Sequence, residues 1–184
     1  PEDGATADAM TRNADLALYA AKADGKGVHR FYEAEMHANA KDRRLLEIDL
    51  RKVLGAGGLH LLYQPVVDAS TEAVVGFEAL ARWNHPTRGP VSPSSFIPIA
   101  EEIGLITQIG DWVIRTACME AARWPGGTRV AVNISPIHFN SPQLPATIVS
   151  ALAASGLAAE RLELEITEGV LLVDEEHTFD LLSV

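Results

Sequence analysis

The sequence predicts an α/β fold whose strands turn parallel after an opening hairpin. Two observations lead to that expectation. Apolar runs rich in β-branched and aromatic residues, "LHLLYQPVV" and "AVVGFEALARW", flank the turn-like "DASTE" and read as two antiparallel strands. After them, helical segments alternate with the strand-like runs "TRVAVNIS" and "RLELEITE". The resulting order β-β-α-β-α-β-α is that of a parallel sheet with crossover helices. At 184 residues, 47% hydrophobic and 22% charged, the chain has ordinary globular composition and enough length for one full core.

The elements are taken in chain order. Residues 7–22 place Met10, Ala14, Ala17, Leu18 and Ala21 at helical spacing. The "ADGKG" stretch ends that helix, and "VHRFY" is expected to form a short strand. Over residues 33–54, Leu46, Leu50, Val53 and Leu54 form one stripe against charged neighbours, which predicts a connector helix closed by "GAGG". The hairpin comes next, then a loop through "NHPTRGPVSPSS", with Ser92-Pro93 as a helix start. Residues 96–124 read as two helical segments divided near Gly104 or Gly110. A third strand, a helix over "PATIVSALAASG", a fourth strand and a helical beginning near Asp174 complete the chain.

Charge and cysteine usage exclude several classes. A net charge of -10 argues against a nucleic-acid polymer or an anionic membrane surface as the main partner. The single cysteine, Cys118, excludes an internal disulfide framework and fits a reducing compartment. No segment reads as a signal peptide or a membrane span; the longest uncharged stretch, residues 130–159, is interrupted by Pro136, Pro142 and Pro145. A cytoplasmic segment is expected, with any membrane tether of the parent lying outside it. The edges, Pro1 and "FDLLSV", read as cuts within a longer chain.

Polar residues interrupt the apolar strands in a pattern. Gly76, Glu78, Leu80 and Arg82 share one face of the second strand, with Glu78 and Arg82 roughly 13 Å apart at about 3.3 Å per residue. That separation suits two parts of one extended ligand. A solvated hairpin face also stands open at this point. "VAVNIS" turns polar at Asn133 and Ser135, where an asparagine bonding the backbone at a strand end is the plainer alternative. In "LELEITE", Glu163, Glu165 and Thr167 alternate with Leu162, Leu164 and Ile166, as a solvated edge would also do. Three successive strands thus carry oxygen-bearing side chains toward one end, and C-terminal strand ends are where parallel α/β folds bind ligands. Two carboxylates and one amide oxygen suit Mg2+ or Mn2+ far better than Zn2+, and the six histidines show no zinc-like spacing.

Six stretches in order, "YQPVV", "GFEALARWNHP", "PSSFIPIAEEIGLI", "GDWVIRTAC", "VAVNIS" and "LELEITE", resemble the EAL family of cyclic di-GMP phosphodiesterases. The resemblance covers about residues 45–184. Upstream, "NADLALYAAKADGKG" resembles the closing helix and turn of a GGDEF (diguanylate cyclase) domain. The implied organisation is a GGDEF remnant over 1–36, a connector helix over 37–57 and the N-terminal part of an EAL domain over 58–184. The implied fold is a TIM-like barrel with an antiparallel first strand, of which this chain carries the first half. By the same resemblance Glu78, Asn133 and Glu165 are metal ligands, with Glu78 and Glu165 catalytic. Arg82 contacts a phosphate of cyclic di-GMP, Gln64 contacts the nucleotide, and Glu168 steadies a catalytic loop. Lys22 and Lys26 match cyclase positions that touch triphosphate, with Lys26 in place of a more usual arginine.

The implied reaction is metal-assisted hydrolysis of cyclic di-GMP to linear pGpG by an activated water. A complete barrel of this kind needs about 250 residues. Counterparts of the family's paired aspartates, catalytic lysine and late general-base glutamate are not reached, so the isolated chain is expected to be inactive. A non-catalytic cyclic di-GMP receptor is the second reading, and a partial product without ligand the third. Dimerisation of the parent stays open.

Overall fold

The structure, a computed structural model, describes residues 6–23 and 27–166, which fall into two compact units, Pro1–Asp49 and Leu50–Val184. In the first, α1 (Ala7–Ala23) opens where Thr6 Oγ1 accepts the Ala9 amide at 3.2 Å, an N-cap contact for an otherwise orphaned donor. Its buried residues include Asn13, Ala17 and Ala21. Asn13 Oδ1 lies 3.0 Å from His37 Nε2 on α2 (Glu35–Leu50), and the Arg43 guanidinium sits over the Tyr19 ring at 5.4 Å. Residues 28–32 are not a strand: they join no ladder among the described residues, and a ladder of inter-strand hydrogen bonds is what a strand requires. The single connector helix expected over 33–54 is also divided. α2 ends at Leu50, and the four-residue α3 (Val53–Ala56) succeeds it, closed by Gly57 at φ 72°, a left-handed position that glycine adopts without Cβ strain.

The second unit is a mixed sheet with helices against one face. β1 (Leu59–Val67) pairs antiparallel with β2 (Val74–His85). The turn between them is organised by Asp68, whose Oδ1 accepts from the amides of Ser70 and Thr71 and from both hydroxyls at 2.6–3.0 Å. Those bonds favour the ionised form and hold the Asp68 carboxyl down at about 2. β2 runs two residues beyond its expected end and pairs with β3 (Gly89–Val91), a short strand inside the stretch read as loop. Turn residues on both sides hid it, since three residues carry no readable periodicity.

α4 (Pro93–Glu102) starts with Pro at its first position, and Gly104 at φ 70° separates it from α5 (Ile106–Ala121). The break is therefore at Gly104, and Gly110 lies inside α5. β4 (Arg129–Ile134), α6 (Pro136–Phe139), α7 (Leu144–Ser155), a 3-10 turn (Ala159–Arg161) and β5 (Leu162–Ile166) complete the described chain. The strand order is β1-β2-β4-β5, with β2, β4 and β5 mutually parallel. Gly76 permits the β2–β4 approach, since a Cβ there would stand 3.0 Å from the Arg129 carbonyl oxygen.

Alternation decides which residues enter the core. On β2, Ala79, Trp83 and His85 are buried, with Trp83 edge-on to the fully buried Phe96 of α4 at 5.9 Å. Val130, Val132 and Ile134 of β4 are buried as well, and α5 packs on β4 and α7 through a buried stripe that includes Ile109, Val113, Ile114, Ala117 and Cys118. Burial pushes the Cys118 thiol pKa up. Elsewhere Trp124 meets Tyr63 and Phe77 at ring distances of 5.2 and 4.9 Å, and burial, aided by Glu120, pushes the Tyr63 hydroxyl up to about 12. The Arg161 guanidinium donates to the carbonyls of Thr128 and Ala121 at 2.9 and 2.8 Å, anchoring the entry to β5.

Candidate functional site

The face of the sheet opposite these helices carries the polar residues. Gln64 on β1 stands directly across from Glu78 on β2. The parallel β2–β4 ladder runs from the Gly76–Arg129 pair to the Ala79–Val132 pair and then stops. β4 and β5 stay paired to Ile134 and Ile166, which sets Asn133 opposite Glu165. Gln64, Glu78, Asn133 and Glu165 thus lie across four neighbouring strands, and directly paired residues share a face. The contact that joins the row is Asn133 Nδ2 donating to Glu78 Oε1 at 2.6 Å.

Arg82 shares the face of Glu78 further along β2. It is half-buried and uses one guanidinium donor on the Ala81 carbonyl at 2.9 Å. Beyond the last β2–β4 pair the strands part, and a cleft of about 260 Å³ opens beside Arg82, Asn133, Ser135 and His138, with Ile97 and Ile109 among its apolar walls. Glu163, on the face of Glu165, is taken up by an ion pair with Arg129 and is thereby separated in role from its neighbour. Glu168 and Lys26 lie outside the described residues; Lys22 is exposed in the last turn of α1, in the other unit.

The donor set fits a hard divalent cation. Among the described residues no three His, Cys, Asp or Glu side chains group as a metal cluster, and the row offers instead two carboxylates and one amide. Carboxylate and amide oxygens are the donors that Mg2+ and Mn2+ prefer. An amide turned about its Cβ–Cγ bond exchanges oxygen for nitrogen at nearly unchanged shape, so Asn133 can offer an oxygen where it now donates to Glu78.

One group of residues at the cleft is not legible as a site in the sequence. His138 is 1% exposed, and its Nε2 lies 2.9 Å from Asp111 Oδ1 on α5. The signals for it were Gly110 inside an otherwise strong helical run and Ser135 just past the strand, each explicable locally.

Comparison with known proteins shows the family of the chain. Residues 47–183 match the model of the EAL domain. The chain belongs to the EAL domain family. An uncharacterised signalling protein of Caulobacter vibrioides is 50% identical over 98% of this chain and 22% of its own length. MucR of Pseudomonas aeruginosa, a bifunctional diguanylate cyclase/cyclic di-GMP phosphodiesterase, is 39% identical over 99% of this chain and 27% of its own. The solved structure of the MucR phosphodiesterase in complex with c-di-GMP superposes with a TM-score of 0.72 at 38% identity, over 76% of this chain and 58% of that one. The chain therefore spans about a quarter of the length of these curated relatives. Among the described residues no helix is long and apolar enough to cross a membrane.

Proposed function

We propose that the protein carrying this chain is a cyclic di-GMP phosphodiesterase that yields linear pGpG. The observation that carries the reading is the row formed by Glu78, Asn133 and Glu165 on three adjacent parallel strands, with Asn133 held to Glu78 at 2.6 Å. Glu78, Asn133 and Glu165 would hold Mg2+ or Mn2+, which when bound would acidify a water and offset phosphate charge. Arg82 provides a planar cation for a phosphate of the dinucleotide, a role for which guanidinium geometry is suited. Gln64, across from Glu78, contacts the nucleotide, and Glu168 steadies a neighbouring loop. Two charged phosphates approaching a segment of net charge -10 need such local cations.

The segment over 1–36 is read as the end of a diguanylate cyclase domain. The alignment with a bifunctional relative through 99% of this chain supports that reading. A cytoplasmic location follows from the substrate class proposed. The 184-residue segment alone is proposed to lack turnover, because the family's paired aspartates, lysine and late glutamate find no counterpart in it. The test is incubation of the full-length protein with cyclic di-GMP and Mg2+ or Mn2+, with products separated by chromatography. Appearance of pGpG, and its loss in Glu78→Ala, is the expected result. Binding without turnover would replace the enzyme with a receptor, and absence of both would sink the reading.

A further inference from the structure

We infer that His138, held by Asp111, is a positioning residue for Asn133, and so for divalent-cation binding at the site; the inference rests on the phosphodiesterase reading above. Asn133 sits beyond the last β2–β4 pair, so its strand is unpaired on the β2 side there, while β5 still pairs it through Ile134–Ile166. Two residues further on is Ser135, the N-cap of α6, whose Oγ accepts the His138 amide at 3.1 Å. The Phe139 amide bonds the Ser135 carbonyl at 2.9 Å, and the Ser141 amide bonds the His138 carbonyl at 3.0 Å. The exit of β4 is thus wound into a turn centred on His138.

That turn is tied to α5 at one point. A carboxylate only accepts, so in the 2.9 Å contact the His138 Nε2–H donates to Asp111 Oδ1. The imidazole occupies the space above Gly110, where a Cβ would fall 2.2 Å from Nδ1 and 2.6 Å from Cε1. Three positions on two elements are therefore committed to one buried polar ring, where an apolar side chain would have packed without needing a partner. The same ring lines the cleft that Arg82 and Asn133 border. Fixing α6 against α5 adds a restraint to the exit of β4 on the side facing β2, where Asn133 reaches Glu78 and the ladder has ended. Residues that orient a metal ligand are commonly worth about 10–100-fold in metal affinity or activity.

The experiment uses the full-length protein. Mn2+ binding without substrate is measured by electron paramagnetic resonance, alongside kcat and KM for cyclic di-GMP, in His138→Ala, His138→Gln, Asp111→Asn, Asn133→Ala and the double variant of His138 and Asn133. The expected result for His138→Ala is Mn2+ affinity and kcat each lowered roughly 10-fold with KM little changed. His138→Gln, which keeps a side-chain donor, recovers most of the loss. In the Asn133→Ala background, His138→Ala adds no further loss, because its effect passes through that amide. A His138→Ala variant that melts earlier yet binds Mn2+ and turns over as before would overturn the inference, as would additive losses in the double variant. Wild-type protein that neither binds Mn2+ nor hydrolyses cyclic di-GMP would overturn the phosphodiesterase reading itself, a result distinct from both.

Discussion

Asn133 on β4 reaches across to Glu78 on β2, Nδ2 to Oε1 at 2.6 Å, although 55 residues separate them in the chain. Neither residue is in the helix-packed core, so the contact adds little to folding, about 1 kcal/mol for a net hydrogen bond. On the proposed function, its consequence lies in the site. Asn133→Ala should leave the unfolding free energy within about 1 kcal/mol of wild type while turnover of cyclic di-GMP falls by at least roughly 10-fold. Unfolding curves and product chromatography on the full-length protein separate the two effects.

Gly110 has no tolerance for a side chain while His138 stands where it does. A Cβ at 2.2 Å from Nδ1 must displace a buried ring, and overpacking of this kind costs about 1–3 kcal/mol. Gly110→Ala should therefore destabilise the fold despite the better helix propensity of alanine. Adding His138→Ala should return part of the loss, because the space is then free. Equal stability of the single variant and wild type in urea would contradict the geometry.

Asp68 ties a turn through its ionised form. Its folded value, about 2, lies below the ordinary 3.8, so its contribution is fully present above the ordinary value. That contribution is lost as pH falls toward 2, where the folded carboxyl protonates. The stability difference between wild type and Asp68→Asn should accordingly be constant from about pH 5 to 7 and shrink below about pH 4. Because the group is fully exposed, the effect is local to the hairpin turn and is best read by carboxyl titration in nuclear magnetic resonance.

Cys118 is 0% exposed and its thiol pKa is raised by burial. The thiolate is the reactive species, so Cys118 should resist a disulfide reagent at neutral pH in folded protein and react promptly in denaturant. Cys118→Ser should destabilise by about 1–3 kcal/mol, since the hydroxyl would be buried in apolar surroundings. Rapid labelling of folded protein would show that α5 opens more readily than its packing implies.

Local patterns carried much of this molecule. Apolar spacing along α1 and α5, the Pro start of α4, the hairpin around Asp68 and the alternation in "LELEI" are all properties of residues within one or two turns of each other, which is why the sequence by itself determined them. The same holds for the type of chemistry on offer: glutamates and an asparagine on strands are oxygen donors whatever the fold. Tertiary structure decided the rest. Whether residues 28–32 are a strand depends on a partner, and whether Gly89–Val91 is one depends on β2 running on to His85. Of the carboxylates on β5, Glu163 was assigned to Arg129 and Glu165 was set beside Asn133 only by the parallel register. Gly110 became an obligatory gap only when α6 brought His138 over it. Spacing along a chain sets which face a side chain takes, but long-range register sets which side chain it meets, and register is a property of the packed sheet.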